Sequence, residues 1–358
     1  MTQQEVLESA ESFLREEVSP RAQDIDRNPA DLRWALEGLC SRNLMALRRP
    51  AAFGGPAISE EAFREFQETC ARYSGTLSFL QTQHQSAGSM LAKSANEELK
   101  GDYLPYMADG TKLVGIGFSQ LRRGGSPIMR AEPCADGGYL LAGTVPWMTG
   151  FGYYPEVLIG ATLPDGRALF AVVPVEGPNI TPSQPMQLAA MEAANTVSIE
   201  FSGHKVESNR IAFIQEANWI KNNDQINIAL QGHFAIGCAM AGLDVLRAAA
   251  EKKGLPFLNT ALVALDEELR RCRAATREAQ GQVHLEEATE ERLRVRAWAI
   301  DLAVRCAHAA VTASSGAANS IHHPAQRIYR EALVYTVSAQ TPPIMQATLQ
   351  RLTQKSQN

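Results

Sequence analysis

The sequence predicts an α+β protein in three parts: an N-terminal helical domain over 1–111, a middle β domain over 112–216, and a C-terminal four-helix bundle over 217–358. Three observations support this. Apolar residues recur with a helical period at both ends of the chain and a strand-like period between them. Half of the 18 prolines fall between Lys112 and Phe213, where they punctuate short strands. The length of 358 residues exceeds what one hydrophobic core organises, so two or three packed units are expected.

In the first region Val6, Ala10, Phe13 and Leu14 share one helical stripe before Ser19-Pro20. Further helical runs follow at 32–39 and 58–73, and the stretch from Ala51 through Gly54, Gly55 and Pro56 breaks them. In the middle region Asp136, Gly137 and Gly138 form a turn signal ahead of a strand over 139–145. Strands over 157–163 and 168–173 flank Pro164, Asp165, Gly166 and Arg167, a hairpin loop. In the last region Leu262, Leu265, Leu269, Cys272, Thr276 and Ala279 alternate spacings of three and four, as do Leu293, Ala297, Ile300, Val304, Ala307 and Val311. With 231–250, where Gly237 and Ala241 permit close helix contact, and with 326–353, this makes four helices.

The strand that begins at Tyr139 ends in Trp147-Met148-Thr149. Residues two apart on a strand share a face, so an aromatic plate and a hydroxyl would stand side by side, an arrangement suited to a flat redox-active ring. The same residues also fit an ordinary core tryptophan followed by a strand-end threonine.

Composition narrows the remaining classes. The apolar share of 45% and mean hydropathy of −0.18 describe an ordinary globular chain. The net charge of −5 has no block of like charge behind it, which points away from nucleic acid. No twenty-residue apolar run is present and the N-terminus lacks the pattern of a secretory signal, so no membrane span and a cytoplasmic location are expected. The six cysteines are scattered singly, away from histidines at ligand spacing, and read as reduced and buried. His322 and His323 precede Pro324 and read as a turn pair, so no metal is expected.

Beyond these patterns, the chain resembles the acyl-CoA dehydrogenase superfamily. Phe53-Gly54-Gly55 is similar to the family's aromatic-Gly-Gly loop. Glu97, Glu98 and Lys100, followed by Tyr103, Leu104, Pro105 and Gly110, are similar to its Glu-Glu-x-Lys…Tyr-Leu-Pro…Gly signature. Pro324, Arg327, Tyr329, Arg330 and Glu331 resemble its Pro-x-x-Arg-x-(Tyr/Trp)-Arg-Asp pattern, with glutamate for aspartate. The resemblance implies a β-barrel middle domain, an FAD cofactor, an acyl thioester substrate and a homodimer or homotetramer. It implies that Trp147 and Thr149 lie against the flavin, that Ser119 and Gln120 bond its pyrimidine edge, and that Gln340 and Thr341 complete the cofactor contacts. The family's Thr-Glu-Pro-x-x-Gly-Ser segment falls on 120–126, where Gly125 and Ser126 remain. Ser126 and Arg122 then become substrate contacts, Arg122 and Arg123 adding charge for a reduced flavin or a phosphate. A solvated basic loop is the alternative for these arginines.

The departures carry as much information. Dehydrogenation of a thioester needs a base for the α-proton, and the glutamate that serves in the family is replaced by Ala339. The alternative location falls near Asn227, leaving Asp224 as the fallback carboxylate. The family's Arg-x-x-Phe-Gly-x-Pro…Gln segment, which holds the FAD adenine and pyrophosphate, keeps Gly254 and Pro256 but carries Ala250, Lys253 and Ala261 at its Arg, Phe and Gln positions. Gln-x-x-Gly-Gly appears as 312–316, with Thr312 leading and Gly316 kept. At about 1.5–3 kcal/mol per charged hydrogen bond, these losses weaken the cofactor grip considerably. Three readings follow: a flavin-dependent oxidoreductase with a non-standard or missing base, a flavin monooxygenase of the same fold with His84 or His233 as its catalytic histidine, and a non-catalytic binding or assembly module.

Overall fold

A computed structural model describes residues 2–135, 137–282 and 286–353; Asp136 of the predicted turn lies outside them. The N-terminal helices are α1 (Gln3–Phe13), α2 (Ala22–Arg27), α3 (Pro29–Ser41), α4 (Glu60–Tyr73), α5 (Gly75–Leu91) and α6 (Glu97–Tyr103). Their starts follow from local chemistry. Thr2 and Glu5 form a capping box on α1, and Asn28, Ser59, Ser74 and Asn96 accept from the first turns of α3 to α6. Gly54 takes a φ of 77°, which ends the short turn at Ala51–Phe53 in the left-handed conformation that glycine adopts without strain.

The middle region holds eight strands: β1 (Val114–Gly117), β2 (Met129–Pro133), β3 (Tyr139–Thr149), β4 (Glu156–Thr162), β5 (Ala168–Pro174), β6 (Ile180–Pro182), β7 (Thr196–Val206) and β8 (Ile211–Gln215). They form one sheet in the order β6-β7-β3-β2-β4-β5-β8, with β1 alongside β4 in parallel. The expected barrel takes the form of this single ladder, and among the described residues no β6–β8 pairing closes it. The predicted 164–167 loop does join the antiparallel pair β4 and β5.

The C-terminal region begins with α7 (Trp219–Asn227), then α8 (Gly232–Lys253), α9 (Pro256–Gly281), α10 (Thr289–Ser314), α11 (Pro324–Val337) and α12 (Pro342–Thr353). The helix expected over 326–353 is thus two. Pro342-Pro343 lacks the N–H groups a continuous helix needs, so the chain breaks at Ser338–Thr341, with Ala339 left-handed at φ 50°. Close packing at Gly237 is as expected, since a Cβ there would lie 2.2 Å from the Glu68 carbonyl of α4. The stretch Trp219–Lys253 is long and apolar enough to cross a membrane by composition, but 72% of its apolar window is buried within the protein, as befits the central bundle helix.

Burial runs across the three regions. One apolar cluster includes Phe66, Leu77 and Leu80 of the helical domain together with Met148, Tyr154 and Val157 of the middle region. Another joins Ala71 of α4 to Ala235, Ala239 and Cys306 of the bundle. At about 25 cal/mol per Å² of apolar area, such shared burial is what fixes the sheet against the helices.

Candidate functional site

Strand β1 crosses the end of β3 at close range because its residues are small. A Cβ on Gly117 would lie 2.8 Å from Val145, and one on Gly115 would lie 3.1 Å from the Met148 methyl. The turn that follows, Ser119–Arg122, is laid against β3. Gln120 is buried there and its amide nitrogen donates to the carbonyls of Gly117 (3.1 Å) and Gly160 (2.7 Å). Its Oε1 and the Ser119 hydroxyl are buried without a hydrogen-bond partner. Buried polar atoms left unmet cost about 1–3 kcal/mol each, so this pair is suited to an incoming donor and acceptor.

Trp147 settles one alternative. It is 51% exposed and stacks on no other described ring, so it is not a core aromatic. A shift in the β3–β7 register between Val145 and Met148 brackets it, as a bulge that re-aims a side chain does. Thr149 is the less available of the two expected contacts. It is buried and shares a 3.0 Å hydrogen bond with the Thr196 hydroxyl of β7.

Arg122 and Asp224 find each other. Nε and Nη2 of Arg122 donate to the two carboxylate oxygens at 2.8 and 2.7 Å, tying the turn after β1 to α7. This corrects two expectations at once: Arg122 is not a free substrate cation, and the fallback base Asp224 has both oxygens committed. Asn227 donates to the Asn223 carbonyl and offers no base. Ser126 is exposed in the loop beyond Gly125. Between the Leu121–Pro127 loop and α7 lies a cleft of about 170 Å³ lined by Leu121, Arg123, Pro127, Ala217 and Ile220, below the ~300 Å³ at which ligand pockets begin.

The Ser338–Thr341 connection is not brought to the strand end by any hydrogen bond among the described residues. Gln340 donates to the Thr336 carbonyl, and its Oε1 is buried without a partner; the Thr341 carbonyl starts α12 by accepting from Met345. The Ser338 carbonyl accepts from Arg296 of α10. Lys253, at the expected cofactor-grip position, donates instead to the Ala313 carbonyl and the Ser315 hydroxyl.

Both candidate histidines are core residues. His84 lies between the Met107 and Val114 backbones, and burial lowers its pKa to about 4. His233 is held 2.6 Å from Glu68 and 2.8 Å from Gln280, with Arg273 on the other Glu68 oxygen. Neither opens on the strand end. His323 caps α11 by accepting from Ala325, and no cluster of metal-ligating side chains occurs among the described residues.

Sequence reasoning missed two features. Asp26, fully buried, accepts from Thr76, from the Met191 backbone and from Arg330. Arg296 is 1% exposed and meets no carboxylate among the described residues. The signal for the second was present: Arg292 and Arg296 stand four apart beside the apolar residues Val295 and Ala299.

Helical domain, sheet and bundle follow one another in this order, with an open aromatic near the end of β3. The acyl-CoA dehydrogenase N-terminal domain family matches residues 1–111. Mitochondrial isovaleryl-CoA dehydrogenase from Pongo abelii is 25% identical over 222 residues, which cover 58% of this chain and 52% of that protein, so the match spans about half the relative's length. Butyryl-CoA dehydrogenase from Megasphaera elsdenii superposes with a TM-score of 0.81 at 17% identity, covering 98% of both chains. KijD3, in a complex with FMN and dTDP-3-amino-2,3,6-trideoxy-4-keto-3-methyl-D-glucose, superposes at 0.81 and 18% identity, covering 99% of this chain and 95% of its own. Residues 1–111 match the acyl-CoA dehydrogenase N-terminal domain family, and the chain as a whole shares the fold of the acyl-CoA dehydrogenases that superpose on it.

Proposed function

We propose that the protein is a flavin-dependent oxidoreductase that acts on an acyl thioester or related small molecule without the usual glutamate base. The observation that carries this is an exposed Trp147 near the end of β3 together with two unmet polar atoms, Ser119 Oγ and Gln120 Oε1, on the turn that packs against the same strand. A hydroxyl that donates and an amide oxygen that accepts suit the alternating acceptors and donors along a flavin's pyrimidine edge. In this reading Trp147 covers the ring, Ser119 and Gln120 hold its edge, and Thr149, Gln340 and Thr341 are secondary contacts. Bound there, a flavin supplies two-electron redox chemistry. FAD is the reading implied by family, although Ala250, Lys253 and Ala261 provide little for its adenine half, so FMN is tested beside it.

The monooxygenase reading is favoured by one observation: Ala339, Asn227 and the paired Asp224 leave no free carboxylate at either base position. If it holds, its acid–base group is neither His84 nor His233, both of which are engaged in the core. The assembly reading, and the homodimer or homotetramer expected from the family, draw on exposed apolar side chains of α11 and α12: Leu333, Val337, Met345, Leu349 and Leu352. The deciding experiment is a visible absorption spectrum of purified protein before and after incubation with FAD or FMN and removal of unbound flavin. Retained flavin bands support the oxidoreductase readings, and turnover with acyl thioesters against an artificial electron acceptor separates dehydrogenase from oxygenase. A folded protein that retains neither flavin rejects both and leaves the assembly module.

A further inference from the structure

A guanidinium sealed from water without an acid beside it is costly, because the charge loses its hydration and gains no counter-charge. The arginines of α11 that leave the surface follow that rule, the buried Arg327 meeting Glu331 at 2.6 Å and the half-buried Arg330 meeting the buried Asp26. Arg296 does not. Its Nη2 donates to the Tyr335 carbonyl at 3.4 Å and the Ser338 carbonyl at 3.1 Å, while Nε and Nη1 are buried with no partner among the described residues. Its flanking α10 residues Val295 and Ala299 are fully buried and apolar. Burial alone lowers its pKa to about 9, in keeping with the lack of an acid close by.

One acceptor of the guanidinium lies on a connection between helices and the other on α11 itself. The Ser338 carbonyl that it bonds belongs to the four-residue break between α11 and α12, and Ser338, Ala339, Gln340 and Thr341 are all only half-buried. Ala339 holds φ 50° there, a conformation that costs a non-glycine residue about 1–2 kcal/mol. Gln340 Oε1 is an unmet polar atom on the connection itself. A charge with two free donors, a strained backbone and a half-buried connection coincide.

We propose that Arg296 is an anion-binding residue: a small oxyanion, the carboxylate or phosphate end of a ligand, enters beneath the Ser338–Thr341 connection and accepts from the free guanidinium N–H groups. Guanidinium favours such oxygens by charge and by planar geometry. The inference does not depend on flavin.

The test is thermal unfolding of the full-length protein, as purified, titrated with acetate or with inorganic phosphate against chloride at matched ionic strength. It is run on wild type and on Arg296→Met, which keeps the side-chain bulk and removes the charge. The expected result is a saturable rise in the wild-type midpoint, at least about 3 °C at saturation, that is absent from Arg296→Met. A rise with acetate identifies a carboxylate, and one with phosphate a phosphoryl group. In chloride Arg296→Met should melt no lower than wild type, since an unpaired buried charge has been removed. A rise that persists in Arg296→Met, or no saturable rise in wild type with either anion, overturns the proposal and leaves Arg296 as a cap on the α11 C-terminus. Should the Met variant fail to fold, the wild-type titration repeated with Arg296→Lys decides, a rise undiminished in that variant or absent from wild type counting against the site.

Discussion

Trp147 and His84 show how little a residue's type says about its role before its surroundings are known. Trp147 is exposed although tryptophan is most often packed, so removing it should leave the fold intact while a ring that stacks on it loses contact area. Trp147→Ala is predicted to weaken flavin binding by ~1–3 kcal/mol with an unchanged unfolding midpoint, as read by flavin fluorescence titration and calorimetry. An unaltered dissociation constant would show that the ring has no flavin role. His84 is the opposite case, a titratable group with no access to solvent. Its folded pKa of about 4 lies below its ordinary value of 6.5, so the unfolded chain binds the proton more readily. The neutral ring therefore contributes stability in full above pH 6.5, and that contribution is lost as pH falls toward 4. From about 1.36 kcal/mol per unit, wild type should lose about 3 kcal/mol more than His84→Gln between pH 7 and 4. Urea midpoints at a series of pH values measure this, and parallel curves for the two proteins would sink the assignment.

At the scale of elements, much of the chain was legible because helices and strands announce themselves locally. The period of Leu262 through Ala279 and of Leu293 through Val311 becomes α9 and α10, and the turn at 164–167 becomes the β4–β5 connection. The error at 326–353 is also local: a hydrophobic period continued across Pro342-Pro343, which physical chemistry forbids as helix interior. What periodicity does not reveal is the conformation of the break. Ala339 at φ 50° occupies a region where glycine has no Cβ to clash, so Ala339→Gly should stabilise the protein by about 0.5–1 kcal/mol, net of glycine's greater freedom when unfolded. A denaturant midpoint that falls instead would mean that the Ala339 methyl makes contacts worth more than the strain. The helix after the break exposes Met345, Leu349 and Leu352, the first two lining a shallow groove of about 410 Å³. If a second copy covers it, Leu349→Glu places an unpaired charge in that contact, and sedimentation velocity should show a smaller species than wild type at equal concentration. Wild type that sediments as a monomer removes the premise.

Across the whole molecule, the contacts that hold the three regions together link residues far apart in sequence, and no local pattern carries them. Arg122 and Asp224 are 102 positions apart, and Asp26 and Arg330 are 304. The surroundings of the candidate site residues were legible to the same degree: that Trp147 and Thr149 lie on one strand could be read locally, whereas the pairing of Arg122 with Asp224 could not. Asp26 is the sharpest example of such long-range closure. From α2 it accepts from Thr76 of α5 at 2.9 Å, from the Met191 backbone of the middle region at 3.3 Å and from Arg330 of α11 at 2.5 Å, so one buried carboxylate touches all three regions. Removing it leaves a largely buried guanidinium, a hydroxyl and a backbone N–H without their acceptor, and the cost of breaking one side of a buried ion pair is about 3–5 kcal/mol. Asp26→Ala should lower the unfolding free energy by that order. Because the regions also share apolar clusters, the loss is expected to appear as a shift of a single cooperative transition, with circular dichroism and tryptophan fluorescence moving together in urea. Separation of the two signals in the variant would instead show that Asp26 is what couples the bundle to the helical domain and sheet, and that the shared apolar clusters alone do not hold them as one unit.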